Sequence, residues 1–202
     1  MTADGRGTAE EVELPARSAS TGSYGSDAVV DLLRAMGTKY VPLNPGSSFR
    51  GLHDSLVNHG GNRDPQLLLC LHEEIAVSLA HGYAKGSGQV GVAAVHDLVG
   101  LMHASMAVYD AFCDRVPVLV LGGSGPMDPA LRRPVDWVHS ATTQAELVRD
   151  FVTWDAEPTT PAAFVADTLR AHNRAASAPR GAPPTARSRS RRRGIANIRP
   201  AM

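Results

Sequence analysis

Three groups of residues in this 202-residue chain carry side chains suited to proton chemistry: Ser47 in Asn44-Pro45-Gly46-Ser47, the run His72-Glu73-Glu74, and the pair His96-Asp97. Carboxylates and imidazoles give and take protons when a fold places them in a cleft. Glu73 and Glu74 stand where an apolar strand, Leu67 to Cys70, gives way to a helix, and a helix start stabilises carboxylates. Glu74 reads as a solvated first-turn acid. Glu73 follows the carboxyl end of a strand expected to be central in an open α/β sheet, where such sheets present ligand-binding groups. His96 ends the small apolar run Val90 to Val95 and is either an acid–base group or simply solvated. Asp97 beside it either orients the imidazole and favours its charged form or faces water. Ser47 is placed to cap a helix that starts near Phe49.

Other chemistries fail on spacing. His72-Glu73-Glu74-Ile75-Ala76 has alanine where a zinc-binding HExxH needs its second histidine. Gly122-Gly123-Ser124-Gly125-Pro126 follows a strand but lacks the third glycine of a dinucleotide loop, and no Gly-x-Ser-x-Gly elbow occurs. No residue set has metal-ligand spacing, and Cys70 and Cys113 read as reduced core thiols without a CxxC partner.

The elements that must position these groups alternate. Ser26 is expected to cap a helix ended by Gly37, followed by a strand over Tyr40 to Leu43 and a helix from about Phe49 to Val57. The strand before Glu73 leads into a helix that buries Ile75, Val77, Leu79, Ala80 and Tyr83. Val90 to Val95 is a run of the kind buried on both faces of a parallel sheet. Beyond it come a helix from about Leu101 to Cys113, with Met102, Met106, Tyr109 and Phe112 as its apolar residues, and a strand over Val116 to Leu121. A helix near Thr143 to Arg149, a strand near Phe151 to Trp154 and a helix from Pro161 to about Ala175 complete the pattern. This order predicts an α/β domain, doubly wound, with a mainly parallel sheet and helices on both faces.

Composition bounds the class. At 43% hydrophobic and 20% charged residues the chain is an ordinary globular one with no apolar run long enough to span a bilayer, and it is expected to be cytoplasmic. The formal charge of zero conceals seven arginines and no acid in residues 180–202, against a body with thirteen basic and twenty acidic groups. Residues 1–22 are expected to be a disordered leader, and 182–202 a disordered Arg-rich tail. Without interleaved aromatics or a recognition fold, the run Arg187 to Arg193 reads as a solvated tail and not a nucleic-acid contact, and with no spanning apolar run no membrane partner is expected.

The pattern His72-Glu73 followed by Gly82-Tyr83-Ala84 resembles the pyrimidine-binding domain of thiamine-diphosphate-dependent enzymes, the acetolactate synthase and benzoylformate decarboxylase group. Asn44-Pro45-Gly46-Ser47 upstream and Val95-His96-Asp97-Leu98-Val99-Gly100 downstream support it, over roughly residues 23–181. The resemblance implies thiamine diphosphate as cofactor, with Glu73 activating its aminopyrimidine ring from an apolar pocket. It implies His96 and Ser47 as groups that handle a 2-keto acid substrate, and Pro45, Gly46, Gly100 and His103 as cofactor contacts. Where relatives carry Ser-Gly-Pro-Gly or Ala-Ala-Gly-Thr-Gly-Asn, this chain keeps only Gly100 and has His103 at the Asn position, so substrate class does not carry over. The family's Gly-Asp-Gly motif for Mg2+ and the diphosphate is absent. Mg2+ is therefore expected only from a separate diphosphate-binding domain, and a homo-oligomer or a complete paralogue is expected as the protein partner. A chain alone is then expected to be inactive, or to be a non-catalytic remnant that pairs with such a paralogue. The family's last strand, of Gly-Pro-Val-Tyr type, has no counterpart after Gly181, which implies a sheet one strand short.

Overall fold

A computed structural model describes residues 24–124, 141, 143–177 and the backbone of 195–198. The elements run α1 (Gly25–Ala35), β1 (Tyr40–Leu43), α2 (Arg50–Asp54), β2 (Gln66–Leu69), α3 (Glu73–Ser87), β3 (Gly91–Val95), α4 (Leu98–Asp114), β4 (Val118–Gly122), β5 (Trp154–Ala156), α5 (Pro161–Ser177) and β6 (Ile195–Ile198). A 3-10 turn (Ser47–Phe49) precedes α2, a π turn (Ser55–His59) follows it, and a 3-10 helix (Gln144–Phe151) precedes β5. Among the described residues the strands form one sheet in the order β2-β1-β3-β4-β6-β5, and every pairing is parallel. The doubly wound α/β class expected from the sequence is what the chain adopts.

Alternation along the strands splits the core into two layers. Val92, Ala94, Leu119 and Leu121 face α1, α2 and α5 through Val30, Leu33, Leu52 and Phe164. Ala93, Val95, Val118 and Val120 face α3 and α4 through Val77, Ala80, Leu101, Ala104 and Val108. The second layer is built from small residues, which lets the helices lie close. A Cβ on Gly91 would collide with the carbonyl of Ala80.

Several expectations need correction. The sheet is not one strand short, because Ile195–Ile198 lies between β4 and β5 and pairs with both. The arginine run masks a β-prone Ile-Ala-Asn-Ile segment just beyond it, and two parallel strands with free backbone groups offer that segment a ladder on each side. The strand before Glu73 is an edge strand rather than a central one. On α3, Ile75 and Leu79 are exposed while Ala76, Val77, Ala80 and Ala84 are buried; on α4, Met102, Met106 and Tyr109 are exposed, and Leu101, Val108 and three alanines do the packing. Cys70 is buried, but Cys113 is exposed. The cap of α1 is Tyr24 and not Ser26, since Asp27 Oδ2 accepts the Tyr24 amide at 2.8 Å and its Oδ1 accepts the Ser55 hydroxyl at 2.7 Å. The leader over 1–22 and the arginine run lie outside the described residues.

Candidate functional site

The reversal of strand order between β1 and β3 opens a crevice at their carboxyl ends, the usual ligand position in such sheets. Three segments converge there. After β1 comes Asn44-Pro45-Gly46 and the 3-10 turn; after β3 come His96 and Asp97; and α3 starts with Glu73.

Glu73 is 5% exposed although it is the first residue of its helix. Although β2 is at the edge, α3 turns back across the sheet and carries this side chain toward α4. The Glu73 carboxylate has no hydrogen-bond or ion-pair partner among the described residues. Its Oε1 instead faces the backbone of Gly100 in the first turn of α4, where an added Cβ would stand 3.0 Å from that oxygen and 2.7 Å from His96 Cβ. Glu74, by contrast, is exposed, and its amide is capped by His72 Nδ1 at 3.3 Å.

His96 is half-buried and held on two sides. Its ring edge lies on Gly46, where a Cβ would stand 2.7 Å from Cδ2 and 3.2 Å from Nε2. Gly46 has an extended backbone, so this close approach, and no unusual torsion, is what requires glycine there. On the other side Nδ1 meets Ser48 Oγ at 2.9 Å and accepts the Asp97 amide at 2.6 Å. Asp97 does not face water: it is buried, with Oδ1 3.4 Å from His96 Nδ1.

Of the residues singled out in the sequence, the fold thus brings Glu73, His96, Gly46 and Gly100 together. Ser47 and Pro45 are exposed on the turn above. His103 is exposed too, one turn further along α4, and packs edge-on against His72 with ring centroids 4.5 Å apart. Ser48 and Gly123 were not singled out. Ser48 supplies the hydroxyl that reaches the imidazole, and a Cβ on Gly123 would stand 2.6 Å from both Ser48 Oγ and Asp97 Oδ1. Spacing cannot choose between adjacent serines of a 3-10 turn, and Gly123 sat within a motif rejected as a dinucleotide loop. An apolar cavity of about 320 Å3 lies elsewhere, between α3 and the outer strands, lined by Tyr40, Pro42, Leu68, Leu79 and Tyr83. It holds none of the proton-transfer groups. Among the described residues no cluster of ligating side chains could hold a metal.

Residues 24–147 match the family model described as thiamine pyrophosphate enzyme, N-terminal TPP binding domain. The chain belongs to this family. As such a domain it is 38% identical over 104 residues to the acetolactate synthase large subunit of Lactococcus lactis, a match covering 51% of this chain and 18% of that protein. The corresponding Haemophilus influenzae subunit is 33% identical over 99 residues, covering 49% and 17%. Benzoylformate decarboxylase from Polynucleobacter necessarius shares the fold with a TM-score of 0.68 at 20% identity, over 88% of this chain and 30% of that one. The thiamine diphosphate-dependent 4-hydroxybenzoylformate decarboxylase of Rhodococcus jostii does so with 0.68 at 22%, again over 88% and 30%. The TPP-binding domain therefore spans less than a third of the proteins it matches, and the structural likenesses speak to fold alone.

Proposed function

We propose that this chain forms the pyrimidine half of a thiamine-diphosphate site in a 2-keto acid decarboxylase or carboligase, with Glu73 as the group that meets the aminopyrimidine ring. The observation that supports the proposal is the Glu73 carboxylate: buried, without a hydrogen-bond or ion-pair partner among the described residues, and set against Gly100, whose lack of a side chain lets the two approach. Burying a carboxylate without a partner costs free energy, so a site that keeps one is built for a ligand that supplies the hydrogen bond. A ring nitrogen that exchanges a proton with the carboxylate meets that need. When bound, the cofactor supplies the carbon nucleophile and the electron sink for the keto acid. The protein's part is to hold a proton at Glu73, to exclude water with the α4 first turn, and to aim His96, and Ser47 on the turn above it, at the substrate. Pro45, Gly46, Gly100 and His103 line the approach as cofactor contacts. The diphosphate and Mg2+ are held by a diphosphate-binding domain on a partner.

A second reading, a non-catalytic module that pairs with a complete paralogue, has its own support. The outer faces of α3 and α4 expose Ile75, Leu79, Met102, Met106 and Tyr109, a band more apolar than a lone domain needs. Either reading gives this face a protein partner, a second copy or a paralogue, in the cytoplasm. Glu73 separates them. With a diphosphate domain supplied by fusion or by a paralogue, Glu73→Gln keeps shape and packing but cannot hold the exchanging proton. Turnover and exchange of the cofactor's C2 proton, followed by NMR, are expected to fall about a hundredfold or more. Exchange as fast as in the unmodified protein refutes the catalytic reading and leaves the pairing module.

A further inference from the structure

His96 presents one ring nitrogen to the β1 turn and the other to the cap of α4, so the position of its proton decides what it can do. The cap is unusual. Aspartate at a helix N-cap ordinarily turns its carboxylate to the free amides of the first turn, yet Asp97 makes no such bond. Its side chain lies beneath Gly123, with Oδ1 buried and without a hydrogen-bond partner among the described residues. Gly123 is itself pinned, its amide to the Val95 carbonyl at 3.0 Å and its carbonyl to Gln144 Nε2 at 3.3 Å. Held this way, residue 97 has φ −40° and ψ −169° and aims its backbone N–H at His96 Nδ1.

A backbone N–H only donates, so the nitrogen it meets at 2.6 Å is bare. The Ser48 hydroxyl lies 2.9 Å from the same atom and, free to rotate, can donate to it once that nitrogen is bare. The opposing influence is the Asp97 carboxylate, an acceptor that would draw a proton onto Nδ1. At 3.4 Å it lies beyond good hydrogen-bond range. Glu73 from α3 is the other titratable group beside Gly100, and the 3-10 turn that meets Nδ1 contributes Ser48, which carries no charge.

We infer that Asp97, through its backbone N–H, and Ser48 are positioning residues that fix neutral His96 with Nδ1 bare and the proton on Nε2. The ring then carries its one N–H donor at Nε2, on the side of Gly46, and has no basic nitrogen there. This rests on the proposed function for the identity of the ligand, while the tautomer itself belongs to the chain alone.

The test uses the 202-residue chain without cofactor, labelled with 15N, at a pH where the ring is neutral. The expected result is a pyrrole-like Nε2, a pyridine-like Nδ1, and a through-hydrogen-bond coupling between the Asp97 amide nitrogen and His96 Nδ1, which a merely structural histidine would not show. Asp97→Asn keeps the backbone donor and should keep both signatures. Asp97→Pro removes it, and with its fold checked by the amide spectrum, the ratio of Nδ1–H to Nε2–H forms should rise at least about fivefold, as for a lost net hydrogen bond. A proton on Nδ1 in the unmodified chain, or no coupling, overturns the inference. So does loss of the Nε2–H form in Asp97→Asn, which would make the carboxylate the deciding group. No thiamine is present, so failure of the Glu73 proposal leaves these outcomes unchanged.

Discussion

Gly100→Ala tests the site where geometry and helix propensity pull in opposite directions. In an ordinary helix this change stabilises by about 1 kcal/mol, because alanine loses less backbone freedom than glycine. At Gly100 the new Cβ would stand 2.7 Å from His96 Cβ and 3.0 Å from Glu73 Oε1. The first contact cannot relax by a side-chain swing, since His96 Cβ is fixed by the backbone at the end of β3. Overpacking of this kind costs about 1–3 kcal/mol, and the rigidity of the contact argues for the upper half of that range. The net expectation is destabilisation by about 1–2 kcal/mol, read as a lower urea midpoint with unchanged slope. In a chain of this size that lowers Tm by about 2–8 °C. With a diphosphate domain supplied, turnover should fall by much more than stability does, because Glu73 and His96 are both displaced. A Gly100→Ala chain that is more stable by about 1 kcal/mol and fully active would refute the placement of Gly100 against these two side chains, and with it the shape of the site.

Three further outcomes are expected of the same fold. Glu74→Gln, on the exposed side of the α3 start, should leave turnover unchanged and alter stability by about 0.3–1 kcal/mol at most, in contrast to Glu73→Gln; paired rate and melting measurements check this. Burial works to raise the Asp27 carboxyl but is outweighed by hydrogen bonds from the Tyr24 amide and Ser55 hydroxyl and by nearby His59, which together hold it below its ordinary value. Its stabilisation is therefore complete above about pH 4 and is lost as pH falls through the lowered folded value. Asp27→Asn should weaken the chain by about 1–2 kcal/mol at neutral pH and by progressively less in acid, seen in urea midpoints at several pH values. Finally, Leu79→Arg with Met106→Glu places charge on the exposed band of α3 and α4. Sedimentation should show a shift to monomer with the far-ultraviolet spectrum unchanged.

Much of this architecture was legible in the residues. Gly91 to Val95 reads as a central strand because five consecutive small apolar residues suit burial on both faces, and all five are buried. Glu73 and His96 both follow strands, but the central strand expected before Glu73 is an edge strand, and it is the course of α3 that brings the two side chains together at Gly100. What escaped the sequence is a matter of size and direction. Hydrophobicity favours Met102, Met106 and Tyr109 as the inner face of α4, but the face that packs is Leu101, Ala104, Ala107, Val108 and Ala111, mostly small residues where the helix lies close. Local composition leaves Asp97 open between facing water and orienting the imidazole. The answer depends on Gly123 and Gln144, brought in from far along the chain. Strand β6 was hidden because no local signal tells a reader that β4 and β5 leave a space between them.

That space also dictates a sequence of events. When the chain has been made as far as α5, β4 and β5 exist but cannot pair with each other, since residues 195–198 must come between them. Until they do, Val118–Gly122, an apolar strand on its way to complete burial, has one free backbone edge. An open edge of this kind pairs with whatever strand arrives first, including that of another molecule. The yield of correctly closed sheet should thus be a race between insertion of β6, which is independent of protein concentration, and association at the β4 edge, which rises with it.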